Sequence, residues 1–183
     1  MTSTAPSPHA LRVADLPQNR PAAFDITPDA DAATEIAETL GLADLRKLRL
    51  TGEVTAQGRR DFALNGTLGA TVVQPCVVTL EPVTTRIDVP VQRLYLADYT
   101  IPEGDEVEMP EDDTTEALGA WIDPAAVMIE ALSLALPLYP RTDGAALEDA
   151  QFAAPGVTPM TDEAARPFAG LAALKDKLSG KED

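Results

Sequence analysis

Two runs of strict alternation constrain this chain more than any other feature. In Lys47 to Thr55 the even positions Leu48, Leu50, Gly52 and Val54 form one face, and Lys47, Arg49, Thr51, Glu53 and Thr55 form the other. The run from Asp61 to Val73 repeats the pattern, with Phe62, Leu64, Leu68, Ala70 and Val72 on one face and Asp61, Asn65, Thr67 and Thr71 on the other. A period of two belongs to a strand that buries one side, and Gln57-Gly58 between the runs supplies a turn. The pair predicts an antiparallel hairpin with one wet face. A third run, Thr84 to Leu96, places Ile87, Val89 and Val91 on odd positions and then Leu94 and Leu96 on even ones. That change of phase near Gln92 and Arg93 predicts a β-bulge.

Helices flank these strands. Thr27 is a candidate N-cap, Pro28 suits a first helical position, and Asp29 and Asp31 complement the positive end of a helix running from Asp29 to Leu40. Ile36 and Leu40 share its face, and Gly41 can end it in the left-handed conformation. Asp123 and Pro124 open a second helix to Leu136, whose broad stripe of Val127, Met128, Ala131, Leu132, Ala135 and Leu136 suits a cover for the sheet. Leu11 to Asp15 and Ala22 to Ile26 are short candidate strands near Pro17 and Pro21, which fit sheet edges. The expected fold class is α+β, a twisted antiparallel sheet or partial barrel of five or six strands with packed helices.

Around this core, residues 11–141, the composition shifts. Residues 1–10 are rich in Ser, Thr and Pro and read as a disordered tail. Residues 98–116 hold nine acidic side chains and no basic one, with Pro102 and Pro110, and read as a solvated loop. Residues 142–165 read as a linker, and residues 166–183 as a short helix and tail in which Phe168, Leu171, Leu174 and Leu178 keep register. The longest apolar stretch, Val127 to Leu138, is too short for a membrane span and contains Glu130 and Ser133. The segment Met1 to Ala10 lacks the basic and hydrophobic regions of an export signal, so a cytoplasmic location is expected.

The formal net charge is −16, which opposes nonspecific nucleic-acid binding by the whole surface. Charge is uneven, however. Leu45 to Ala97 carries Arg46, Lys47, Arg49, Arg59, Arg60, Arg86 and Arg93 against Glu53, Asp61, Glu81 and Asp88, a local net of +3. Lys47, Arg49, Arg59 and Arg60 are candidate contacts to RNA or a partner, since the first two project from the wet face and the others lie at the turn. The alternative is an ordinary solvated face neutralised by Glu53 and Asp61. Aromatic residues are 4% of the chain and Phe62 lies on the apolar face, so a base-stacking platform is missing. Any RNA contact would therefore run through phosphates or shape.

Catalysis finds few parts. His9 is the sole histidine and lies in the expected tail, and the serines are Ser3, Ser7, Ser133 and Ser179, so no Ser/His or Cys/His arrangement can be assembled from folded parts. Glu81 and Glu130 are a carboxylate pair that nothing in the sequence brings together. No phosphate-binding or dinucleotide glycine motif is present. The chain is expected not to be an enzyme. One thiol and one distant imidazole cannot form a tetrahedral Cys/His cage, so neither metal nor cofactor is expected.

The only cysteine opens the octapeptide Cys76-Val77-Val78-Thr79-Leu80-Glu81-Pro82-Val83. This resembles the Cys-x-x-Cys-Leu-Glu-Pro-Val junction of the YceD family, bacterial proteins needed for large ribosomal RNA subunit accumulation. The order of elements from about Arg12 to Arg141 and the short segment from Arg166 to Leu178 also fit. The chain departs from many members at Thr79, where they have a second cysteine. It departs again at Arg141-Thr142-Asp143-Gly144, where they have Cys-Lys-Gly-Leu-Cys. Cys76 is read as a small hydrophobe at a strand end or a reactive thiol; with Leu80, Glu81, Pro82 and Val83 it is expected to serve architecture.

The resemblance implies a non-enzymatic factor supporting 23S ribosomal RNA accumulation and large-subunit biogenesis. Implied partners are precursor ribosomal RNA, an assembling large-subunit particle or a basic ribosomal protein, with no small-molecule substrate evident. The alternative is a protein–protein adaptor or regulator acting through its acidic loop and C-terminal helix.

Overall fold

The alternating runs form the longest strands of an α+β sheet. The computed structural model describes residues 4–99, 114–146, 156–158 and 160. Two compact units divide at Asp143 and Gly144. The described residues of the second unit include no helix or strand, and the expected last helix lies outside the described residues.

In the first unit β1 (Leu11–Arg12) is followed by a 3-10 turn, β2 (Ala22–Ile26), α1 (Ala30–Thr39), β3 (Asp44–Gln57), β4 (Asp61–Pro75) and β5 (Pro82–Leu96). Then come β6 (Thr115–Ala117), β7 (Trp121–Ile122) and α2 (Pro124–Ala135). Five strands pair in the order β2-β3-β4-β5-β6, and β1 pairs with β7 in a separate two-stranded sheet. The larger sheet is mixed rather than wholly antiparallel, because β6 runs parallel to β5. It is open rather than closed into a barrel, with β2 and β6 at its edges.

The predicted inner face is buried. Leu50, Leu64, Leu68, Ala70 and Val72 are wholly inaccessible to solvent and pack with Ile122, Met128 and Leu132. Each such leucine contributes roughly 2 kcal/mol of burial free energy. α2 lies over β2, β3, β4 and β5, as its broad apolar surface requires, and α1 lies against β3.

The bulge occurs elsewhere than expected. Arg46 pairs with Thr71 and Arg49 with Gly69, so β3 carries one extra residue between them. Lys47 adopts a φ of 54° there, and the extra residue lets both Leu45 and Leu48 face the core. Along β5 the register against β4 runs unbroken from Phe62–Tyr95 to Pro75–Pro82. Arg93 therefore takes an inner position between Val91 and Tyr95, while Leu94 and Leu96 face the opposite way and pair with β6. A charged residue on the buried face had imitated a phase change.

Three boundaries also differ from expectation. Asp29, not Thr27, caps α1: its carboxylate accepts the Ala32 N–H at 2.9 Å from extended backbone, placing an anion at the positive helix end. Residues 4–10, expected as part of a disordered tail, lie in described structure, where the Ser7 hydroxyl donates to the Asp123 carboxylate at 2.7 Å. Of the expected acidic loop, residues 100–113 lie outside the described residues, whereas Thr115–Ala117 is strand β6 and Asp98 binds Arg60. Among the described residues no helix is long and apolar enough to cross a membrane.

Candidate functional site

The hairpin fold separates the four candidate cations. Lys47 and Arg49 lie beside Arg86 on the outer face of the sheet, around a shallow depression of about 470 Å³ that Thr51, Thr67 and Thr71 also line. Arg59 and Arg60 lie at the β3–β4 turn, roughly 25 Å from Arg49 at a strand rise of about 3.3 Å per residue. One ligand phosphate cannot meet both groups.

Carboxylates occupy most of these cations. Arg49 Nε donates to Asp25 Oδ1 at 2.8 Å, and its Nη2 donates to the other carboxylate oxygen. That fork holds the Asp25 carboxyl below its ordinary range and raises the Arg49 guanidinium. Arg86 Nε donates to Asp88 at 2.7 Å, lowering the Asp88 carboxyl in the same way. Gly69 leaves the space this guanidinium needs, because a Cβ there would lie 2.7 Å from Arg86 Nη2. Arg46 pairs with Asp44 at 2.9 Å, and Arg60 with Asp98 at 3.0 Å. Lys47 is exposed in its bulge, and no hydrogen bond or ion pair engages its side chain among the described residues. Counting Arg46, Lys47, Arg49 and Arg86 against Asp25, Asp44, Glu53, Asp61 and Asp88, the outer face has no excess of positive charge.

The seventh cation of the basic window is structural. The Arg93 side chain is only 11% exposed and binds Glu116 of β6 at 3.2 Å and Glu130 of α2 at 2.7 Å. Burial raises the neighbouring Tyr95 phenol above its ordinary range, with the Glu116 charge adding to the effect. Glu130 is thus committed to Arg93, and Glu81 accepts from the Thr79 hydroxyl at 3.3 Å. The carboxylate pair weighed from sequence is divided between two local tasks.

The Cys76 octapeptide forms the closed loop between β4 and β5. Cys76 N–H donates to the Glu81 carbonyl at 2.7 Å, and Leu80 N–H donates to the Cys76 carbonyl at 3.0 Å. Leu80 sits at a φ of 62° and is 78% exposed, while Pro82 opens β5 opposite Pro75 and Val83 pairs with Gln74. Cys76 itself is fully buried. Its Sγ accepts the Val78 and Thr79 N–H groups at 3.4 Å each, and the Thr142 hydroxyl at 3.7 Å. Hydrogen bonding from Thr79, aided by Thr142 and Val78, outweighs desolvation and lowers the thiol from 9.0 to about 6.

The irregular segment following α2 completes this site. Val77 N–H donates to the Pro140 carbonyl at 2.9 Å, and Gln74 Nε2 to the Pro137 carbonyl at 3.3 Å. Thr79 and Thr142, the two departures noted in the sequence, are brought together with their hydroxyl oxygens 3.5 Å apart. Among the described residues no group of three or more His, Cys, Asp or Glu side chains is placed to hold a metal ion.

An open mixed sheet with a helix on one face, a polar opposite face without excess positive charge and a hydrogen-bonded thiol at one strand junction make this an α+β protein. Residues 64–175 match the family model described as Large ribosomal RNA subunit accumulation protein YceD, and the chain belongs to that family. No curated protein and no solved structure gives a significant match.

Proposed function

We propose that this chain is a non-enzymatic cytoplasmic factor supporting 23S ribosomal RNA accumulation, and that it engages an assembling large-subunit particle through a basic protein of that particle. Family membership supports the ribosomal assignment. The neutralised outer face carries the choice of partner. A phosphate competing for Arg49 or Arg86 must displace a carboxylate already hydrogen-bonded in place, and the net charge of −16 repels RNA at long range. The same charge attracts a basic protein, whose encounter it accelerates.

The test is a tagged pull-down from cells, with and without nuclease, analysed for RNA and protein. Large-subunit proteins that stay bound after the RNA is digested are the expected result. Complete release by nuclease would return the contact to precursor RNA and to Lys47, Arg49, Arg59 and Arg60.

A further inference from the structure

A further cavity lies away from both the Cys76 junction and the outer sheet face. It has a volume of about 520 Å³ and opens between α1, α2 and residues 7–9. Its apolar lining includes Ile26, Ile36 and Met128, all nearly or wholly buried, and the half-buried Ile129. The segment carrying Ser7 and His9 forms a further wall. That wall is fixed by the Ser7–Asp123 hydrogen bond and by the Ala10 N–H bond to the Ser7 carbonyl at 3.2 Å.

Apart from His9, the ionisable side chains lining this cavity are acidic. Asp29 and Glu35 line it, and neither lysine nor arginine does. Asp29 uses one oxygen to cap α1, whereas the Glu35 carboxylate has no partner among the described residues. No basic residue lies on α1 to offset them. An apolar floor under a carboxylate rim matches a side chain with a long methylene stem and a cationic head.

The geometry points to this cavity as the docking pocket for an arginine or lysine side chain on a basic segment of a partner protein. Its stem packs on Ile36, Met128 and Ile129, and its head meets Glu35. This rests on the reading that the partner is basic and says where such a partner is held. Most of the pocket lies before residue 64, outside the span of the family match.

The test uses the full chain and fluorescein-labelled synthetic peptides alternating arginine with leucine, or glutamine with leucine, followed by fluorescence anisotropy. The arginine peptide should bind at least ten-fold more tightly than its glutamine counterpart. Glu35→Gln should weaken it about three-fold, the range of an exposed ion pair, while Glu38→Gln on the same helix leaves it unchanged. Ala32→Phe, which fills the cavity, should weaken binding at least ten-fold, with circular dichroism confirming the fold; if that variant fails to fold, Glu35→Gln decides.

Equal losses from Glu35→Gln and Glu38→Gln would mean diffuse attraction and overturn the pocket. Equal binding of the two peptides would mean a plain apolar groove, and self-association of the chain abolished by Ala32→Phe would put a second copy there; either outcome overturns the proposal. Peptide binding by a chain whose pull-down yields no ribosomal protein would retire the ribosomal reading and leave the pocket standing.

Discussion

Arg93 reaches from the inner face of β5 to Glu130 of α2, with Nη2 2.7 Å from Oε1, and so ties the covering helix to the sheet by charge. The same guanidinium holds Glu116, at the parallel edge strand β6, through Nε. Replacement by alanine removes a nearly buried stem as well as both ion pairs. The glutamates are about half exposed and regain water, which limits the loss to about 2 kcal/mol. Arg93→Met, which keeps the stem, should lose less than about 1 kcal/mol. Urea denaturation of both variants checks the order, and equal losses would mean that the charges, not the stem, hold α2.

Cys76 should make stability depend on pH. Its thiol is lowered from 9.0 to about 6 in the folded chain, so the folded state favours the thiolate. The stabilisation is fully present above the unfolded value, declines as pH falls and is lost below the folded value. The stability difference between wild type and Cys76→Ala should therefore grow as pH rises from about 6 to 9. Chemical denaturation at both ends of that window measures it. A difference independent of pH would mean that Cys76 stays a neutral thiol.

Gly52 and Gly69 should respond differently to alanine. At Gly52 the new Cβ would overlap the Asn65 carbonyl oxygen and lie 2.6 Å from Gly66 Cα, both backbone atoms of the paired strand. Neither can move without opening the ladder, so Gly52→Ala should cost about 3 kcal/mol. At Gly69 the obstacle is the flexible end of Arg86, 2.7 Å away, and Gly69→Ala should cost less than about 1 kcal/mol. Thermal melts of the two variants test this, and similar shifts would contradict it.

Lys47 holds a left-handed backbone that glycine adopts without strain. Lys47→Gly should stabilise the chain by roughly 0.5–1 kcal/mol, and Lys47→Val should destabilise it by more, since a β-branched side chain crowds this conformation. If the bulge serves only to place Leu45 and Leu48 in the core, ribosomal association of the Gly variant stays at the wild-type level. Weaker association by a more stable variant would show that the lysine itself meets the partner.

Replacing Lys47, Arg49, Arg59 and Arg60 with glutamine together should leave nuclease-resistant association intact, because the partner is held by carboxylates and apolar surface rather than by these cations. The pull-down under increasing salt reads the result. A loss of three to four units in the slope of log K against log salt would assign phosphate contacts to the set.

The faces of β3 and β4, the capping aspartate of α2 and the glycine after α1 were all legible in the sequence. Each depends on neighbours a few residues away: alternation decides which side is apolar, an Asp-Pro pair starts a helix, and Gly41 takes a φ of 66°. The family likeness was legible for the same reason, since the Cys76–Val83 octapeptide is one continuous junction. Only the tertiary structure decided that Arg93 faces inward, because its environment is made by Glu130 on a helix 37 residues away. It also decided that Asp25 and Asp98 neutralise Arg49 and Arg60, and that Thr142 meets Cys76 across 66 residues. A local pattern fixes which faces are apolar, but the charge and the hydrogen bonds of a site belong to pairs that come together only when the sheet closes on its helices.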